Sequence, residues 1–163
     1  MADSRLSVFD DPECYPGLTL AQPYAGAVLL AAQGLPGKTI ETRKVRFTRV
    51  GAEIVVCAGL DAWEDDLWRV YNGLVRLHGV PAAPFDLAMS HSGVALCLAV
   101  VAECRLLVKA DYSRSLWWDE RENARKPRWA WVLDKLRPIK PFPWRGSQGF
   151  SRVPRKLVEV IGG

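Results

Sequence analysis

The stretch Gly37-Lys38-Thr39-Ile40-Glu41-Thr42-Arg43 places an ammonium, a carboxylate and a guanidinium within six residues. Successive side chains of a strand point to opposite faces, so Glu41 and Arg43 share a face that Lys38 would not share if it belonged to the same strand. The three charges converge only if Lys38 lies in a turn. Pro36-Gly37, a dipeptide typical of turns, stands directly before it. The sequence therefore predicts a mixed-charge cluster at the mouth of a strand.

A short strand is predicted at residues 17–20, and a helix is predicted to open just after it at Gln22-Pro23. Proline is favoured at the first helical position because its missing N–H has no partner there, and Gly34 is a natural stop. An apolar face runs along this helix through Ala25, Val28, Leu29 and Ala32. The free N–H groups of its first turn suit a carbonyl, a phosphate or a base edge.

The composition fits one soluble globular domain, with 163 residues of which 49% are hydrophobic and 25% charged. Residues 1–16 are predicted to be an irregular lead-in and residues 17–163 the domain. No secretory leader is visible, and no apolar run approaches the roughly 18 residues of a membrane span, so we expect a cytoplasmic protein without membrane association. The four cysteines form no C-x-x-C pair and are expected to be buried free thiols, and we predict neither a metal nor a cofactor.

The net charge of +4 conceals an asymmetry along the chain. Residues 1–104 hold 8 basic and 12 acidic side chains, whereas residues 105–163 hold 14 and 6. The basic part also contains Trp117, Trp118, Trp129, Trp131 and Trp144. Cations interleaved with aromatic rings suit single-stranded nucleic acid, because they neutralise phosphates and stack on bases. The alternative, in which the tryptophans are core and the cations a solvated surface, stays open.

Three further segments are predicted to be strands: residues 53–58, 93–103 and 128–133. The first two are almost wholly apolar, as in strands buried on both faces, and the third alternates. Residues 157–161 are predicted to form a closing strand, since most of them are β-branched. Between the predicted strands at residues 128–133 and 157–161, Pro138, Pro141 and Pro143 are expected to break regular structure.

A second helix is predicted from Asp61, which forms a capping box with Glu64, to Gly79. The acidic residues of its first turn suit the positive end of a helix, so no metal site is assigned to them. Residues 80–92 are predicted to be a loop, and residues 105–126 a partly helical excursion or a mobile loop.

The order of these motifs resembles the ASCH domain of the PUA-like superfamily. Over roughly residues 17–161 the chain has Leu-Thr-Leu-Ala-Gln-Pro-Tyr-Ala at 18–25, Lys-x-x-Glu-x-Arg at 38–43, a buried strand, a strand led by Gly93, Pro-Arg-Trp at 127–129 and a late proline-rich crossing. The family usually has a glycine where this chain has Pro36. Gln-Pro-Tyr-Ala-Gly, Lys-Thr-Ile-Glu-Thr-Arg and Trp-Glu-Asp-Asp-x-Trp are especially similar to the endothelial-overexpressed lipopolysaccharide-associated factor group.

The resemblance implies an α+β fold, a PUA-like mixed β-barrel with flanking helices, and a cleft beside it that binds RNA or a modified nucleobase. The expected partner is RNA, another single-stranded nucleic acid or a modified nucleoside, with a protein-interaction module as an alternative. We predict that the ligand contacts Gln22, Pro23, Tyr24, Lys38, Glu41, Arg43, Arg128 and Trp129.

The side-chain chemistry of this set fits a binding cleft. Gln22 offers a donor and an acceptor to a base edge, and Arg43 offers a fork to a phosphate. Tyr24 and either Trp129 or Trp131 offer stacking faces, although at least one of the two tryptophans is expected to be core. Alternatively, the pair of Arg43 with its neighbouring carboxylate is only a structural ion pair.

Two family subgroups raise the alternative of hydrolysis in the same cleft. One resembles an amidohydrolase acting on acetylated cytidine, and the other has been proposed to be a ribonuclease. Lys38 and Glu41 are the catalytic candidates if this chain is a hydrolase. The amidohydrolases have a threonine three positions after the lysine, where this chain has Glu41. Whether the chain is an enzyme therefore stays open.

Overall fold

The computed structural model describes residues 6–162, which form one six-stranded sheet with helices packed against it. The strands are β1 (Cys14–Gln22), β2 (Ile40–Arg43), β3 (Glu53–Ala62), β4 (Val94–Leu106), β5 (Trp129–Pro143) and β6 (Phe150–Pro154). Their order across the sheet is β2-β5-β4-β3-β1-β6. Only β1 and β3 are parallel neighbours, and the other adjacent pairs are antiparallel.

The α-helices of the described residues are α1 (Tyr24–Ala32), α2 (Glu64–Tyr71), α3 (Ala82–Met89), α4 (Tyr112–Ser115) and α5 (Glu120–Arg125). A π-helix, Asn72–Leu77, continues α2 directly. Within residues 6–162, every helix is too short or too polar to cross a membrane. The buried residues of α1 share one hydrophobic cluster with inward side chains of β1, β3, β4 and β5, so this helix occupies the centre of the main core.

The α+β fold is confirmed, but the sheet is not closed into a barrel, because β2 and β6 remain its edges. Across a flat sheet β5 and β6 would be about 19 Å apart, at roughly 4.8 Å per strand. The rings of Trp131 on β5 and Phe150 on β6 nevertheless stack at 6.0 Å, so the sheet must curl. Phe47 lies 5.0 Å from the Trp131 ring and 6.0 Å from the Phe150 ring. Aromatic packing thus spans the gap that strand hydrogen bonds would bridge in a closed barrel.

The predicted buried strands and the partly helical excursion are confirmed. β1 begins at Cys14, inside the predicted lead-in, of which residues 1–5 lie outside the described part of the chain. The four cysteines are free thiols, and all but Cys104 are buried, as expected. The predicted capping box is wrong, because β3 continues to Ala62 and α2 begins after Trp63 without a side-chain cap.

The predicted loop at residues 80–92 instead contains α3. Pro84 is tolerated because it stands in the first turn, where an N–H has no helical partner. Phe85 and Ala88 are buried against the core. Gly26 permits the close approach of α1 and α3, since a Cβ there would lie 2.8 Å from the Ala88 carbonyl oxygen. Packing against the core therefore makes this segment helical, although its local sequence pattern is weak.

The prolines of the late crossing do not end regular structure, contrary to the prediction, because β5 runs through them to Pro143. β2 pairs only with residues 129–132, so the rest of β5 has a strand on one side only. A proline whose nitrogen faces away from the neighbouring strand removes no ladder hydrogen bond. The final strand is β6, whereas the predicted strand at 157–161 contributes only a bridge between Ile139 and Val160.

The link between α1 and β2 depends on the glycine before Lys38. A Cβ at Gly37 would lie 2.3 Å from the carbonyl oxygen of Ala27 and 2.6 Å from the nitrogen of Ala31, both backbone atoms of α1. The next residue, Lys38, donates its own N–H to that Ala27 oxygen at 2.9 Å. The link is therefore held directly against the helix backbone.

We expect Gly37→Ala to lower the free energy of unfolding by about 1–3 kcal/mol, because the methyl group forces two backbone segments apart. Urea denaturation followed by circular dichroism measures this loss. Gly73→Ala is the matched control, since the nearest atom to its added Cβ is a side-chain carbon at 3.9 Å. An equal loss in both variants would contradict the proposed role of the close approach.

Candidate functional site

The side chain of Lys38 is the most deeply buried charge of the site, with 1% of the residue exposed. Its Nζ donates to the carbonyl oxygens of Ile40 and Ser115, each at 2.6 Å, and lies 3.4 Å from Oε1 of Glu41. It also lies 5.2 Å from the centre of the Tyr24 ring. Burial lowers the pKa of Lys38, while the Glu41 carboxylate opposes that shift. The ammonium thus has a partner for each of its three N–H bonds.

Glu41 connects this buried ammonium to the exposed side of the site. Its Oε1 also accepts from the N–H of Thr42 at 3.0 Å, and its Oε2 accepts from Nε of Arg43 at 3.0 Å. The Arg43 side chain is about one-third exposed, and its guanidinium lies 5.8 Å from the centre of the Trp131 ring. The predicted convergence of Lys38, Glu41 and Arg43 is observed, with the lysine in the link before β2.

Tyr24 of α1 is held in place by α2, three elements further along the chain. Its hydroxyl donates to Oδ2 of Asp66 at 2.8 Å and accepts from Nη2 of Arg69. Burial, and secondarily Asp66, raises the pKa of Tyr24, so the phenol stays protonated. The sequence signalled Asp66 only as part of an acidic first turn, and nothing local linked it to Tyr24.

Gln22 and Pro23, two of the predicted contact residues, are not among the residues that line the cleft. Nε2 of Gln22 donates to the carbonyl oxygens of Ala88 and His91 at 3.1 and 3.0 Å, and its Oε1 accepts from the N–H of Gly26 at 2.8 Å. The amide is therefore used to join α1 to α3 and to the segment before β4. Both N–H donors of this amide are therefore used within the protein.

An open cleft of about 1280 Å³ lies over the charged cluster. Five of the eight predicted contact residues line it: Tyr24, Lys38, Glu41, Arg43 and Arg128. Other walls come from the ends of β1 and β3, from the residues after β2 and from the loop between β5 and β6. That loop lies directly on β1, since a Cβ at Gly146 would be 1.8 Å from Oγ1 of Thr19.

One wall of the cleft is a stacked arginine and tryptophan. The Arg128 guanidinium lies 4.3 Å from the centre of the Trp117 ring, and its Nη2 donates to Oε1 of Glu122 at 2.8 Å. Nε of Arg128 is buried without a hydrogen-bond partner. In the sequence, the only signal for Trp117 is its place in the basic, tryptophan-rich part of the chain.

Three more side chains line the cleft that sequence reasoning did not assign to it: Trp63, Trp144 and Arg145. The half-exposed Trp63 contacts the Tyr24 ring edge to face at 5.9 Å. Trp129, by contrast, does not line the cleft, and the guanidinium of Arg46 lies 5.6 Å from the centre of its ring. Trp131 is core, as expected for one of these two tryptophans.

The curled sheet around α1 is a fold that this chain shares with solved structures of ASCH proteins. Two crystal structures from Zymomonas mobilis share it, that of ASCH and that of a serine-to-alanine mutant of ZmASCH. The first is 12% identical with a TM-score of 0.51 and covers 86% of this chain and 88% of its own. The second is 13% identical with a TM-score of 0.51 and covers 90% of this chain and 98% of its own.

No protein-family model matches the sequence, and no curated protein matches it significantly. At 12–13% identity the structural likeness shows the fold alone. The closer resemblance to the endothelial-overexpressed lipopolysaccharide-associated factor group stays a prediction.

The buried pair can be tested by a double-mutant cycle on Lys38→Met and Glu41→Gln. We expect Glu41→Gln alone to lower the free energy of unfolding by about 3 kcal/mol, because it leaves a buried ammonium without its carboxylate. The double variant should lose clearly less than the sum of the two single losses, since neither charge is then left alone. Urea denaturation at pH 7 provides the four values.

The pair of Arg49 with Asp10 is the matched control, because its partners also lie within hydrogen-bond distance, at 2.8 Å, but are exposed. Asp10→Asn should have a much smaller effect than Glu41→Gln. Additive losses in the Lys38 and Glu41 cycle would contradict a coupled buried pair.

Proposed function

We propose that this chain is a cytoplasmic module that binds single-stranded nucleic acid, RNA or a modified nucleobase, in the cleft. The observation that carries the proposal is the stack of Arg128 on Trp117 in the cleft wall. Such a pair presents a cation to a phosphate beside a flat surface for a base. Alanine substitution at such platforms typically costs about 1–3 kcal/mol per stacked base.

The charge of the cleft supports the same proposal. Glu41 is the carboxylate of the cluster, and it lies between the ammonium of Lys38 and the guanidinium of Arg43. Two cations around one anion leave the cluster with a net positive charge. Lys44 and Arg145 add further positive charge on the cleft lining. A phosphate in the cleft therefore meets a field of the favourable sign.

We expect Trp117→Ala to weaken binding of a labelled 12-nucleotide single-stranded RNA by about 5- to 100-fold, from the loss of a stacking face. Arg128→Ala should also weaken binding. Arg128→Lys should keep more of the salt dependence than Arg128→Ala, because lysine keeps the positive charge, but it should lose the stacking of the planar guanidinium. Fluorescence anisotropy between 50 and 200 mM salt provides the affinities and their salt slopes.

Arg137→Ala is the control for the loss of one positive charge, since Arg137 pairs with Glu53 outside the cleft lining. It should bind RNA as the wild type does. Binding that does not depend on salt, or the same affinity in Trp117→Ala as in the wild type, would contradict the proposal.

Hydrolysis is a second candidate function, and the position of Lys38 favours it. This lysine lines the cleft, and burial lowers its pKa, as in lysines that act as bases or nucleophiles. Its hydrogen bonds to two carbonyl oxygens oppose this role, because they occupy the group that would react.

Incubation of the protein with acetylated cytidine and with RNA separates binding from hydrolysis. If the cleft only binds, neither compound is turned over. Turnover that is lost in both Lys38→Ala and Glu41→Ala, at a temperature where circular dichroism shows both variants folded, would establish the enzyme instead.

A further inference from the structure

A second arginine–tryptophan pair lies next to the cleft but outside it. Arg43 is the register partner of Trp129 across β2 and β5, so the two side chains project from the same face. The guanidinium of Arg43 lies over Trp131, and that of Arg46 lies over Trp129 at 5.6 Å. We call Arg46 and Trp129 the outer pair. It continues the cationic and aromatic surface from the cleft along the β2 edge.

Arg46 of the outer pair has its charge available. Its side chain is exposed, and within residues 6–162 it forms no salt bridge. The neighbouring Arg49 differs, because both of its terminal nitrogens donate to the carboxylate of Asp10. A guanidinium that lies on a ring keeps its N–H groups for a phosphate and its other face for a base.

Another part of the cleft lining, at the end of β3, carries negative charge. Asp61 lines the cleft, and Glu64 and Asp65 follow in the exposed first turn of α2. Carboxylates there repel a phosphodiester chain. A polynucleotide that leaves the cleft therefore has a favourable path over the outer pair and an unfavourable one over α2.

The volume of the cleft also favours a ligand longer than one nucleotide. Pockets for a single small ligand measure roughly 300–1,000 Å³. This cleft, at about 1280 Å³, is larger and is open to solvent. Aromatic side chains occur at well-separated places in its lining, with Trp117 after α4 and Trp144 after β5.

We infer that the ligand is a single-stranded polynucleotide that occupies the cleft and leaves it over Arg46 and Trp129, rather than an isolated nucleoside. The inference rests on the proposed function and names the ligand class of that site. The first nucleotides occupy the cleft, and the following ones contact the outer pair. Specificity for one modified base is not required for tight binding.

The test compares uridine monophosphate with oligouridylates of 2, 4 and 8 nucleotides by isothermal titration calorimetry. Affinity should rise with length up to the 8-mer. Arg46→Ala should weaken the 8-mer at least 5-fold and reduce the magnitude of its salt slope by about 0.7, the value for one phosphate contact on a single strand. The affinity for the 2-mer should not change.

Arg155→Ala is the matched control. Arg155 also lies over an aromatic ring, 4.0 Å from the centre of Tyr15, but it follows β6 at the other edge of the sheet. It should bind every oligonucleotide as the wild type does.

Three results would overturn the inference while leaving the proposed function intact. They are equal affinities for the monophosphate and the 8-mer, an equal loss of 2-mer and 8-mer binding in Arg46→Ala, and equal effects of Arg46→Ala and Arg155→Ala. If none of these compounds binds, and the 12-nucleotide RNA does not bind either, the proposed function fails and the inference fails with it.

Discussion

The buried ammonium of Lys38 is the interaction on which the rest of the site depends. It joins the start of β2, through the Ile40 carbonyl, to the helical excursion, through the Ser115 carbonyl. An ammonium in a protein interior is strongly destabilising unless it is hydrogen-bonded and paired. The strand, the excursion and Glu41 must therefore be correctly placed together for the charge to be tolerated. This requirement fixes the cleft walls before a ligand arrives, which reduces the ordering that binding would need.

The same interaction determines how charge is presented to the cleft. Glu41 is held by Lys38 on one side and by Arg43 on the other, so its negative charge is compensated within the protein. The deep lysine acts through this pairing rather than by contact with a phosphate. Arg43 and the stacked Arg128, both partly exposed, are the guanidinium groups nearer to solvent. The floor of the cleft is thus structural, and its walls are the surface offered to a ligand.

Much of the architecture could be predicted because it depends on local periodicity. The alternation of a strand placed Glu41 and Arg43 on one face, and long apolar runs identified β3 and β4. What could not be predicted depends on partners far away in the chain. The amide of Gln22 is used by carbonyl groups 66 and 69 residues later, and Tyr24 is bound by an aspartate 42 residues later. The curl of the open sheet could not be predicted either, because Trp131 on β5 and Phe150 on β6 stack although no short sequence pattern connects them.

Photo-crosslinking tests the central claim most directly, because it reports where a nucleic acid lies without relying on altered stability. A single-stranded RNA containing 4-thiouridine is bound, irradiated and mapped by mass spectrometry. If a bound strand follows the cleft and the outer pair, adducts form in the cleft wall at Trp117 and Trp144 and on the outer pair at Trp129. The exposed Trp68 of α2 and the distant Tyr15 of β1 serve as internal controls. Adducts confined to Trp68 or Tyr15 would contradict the account.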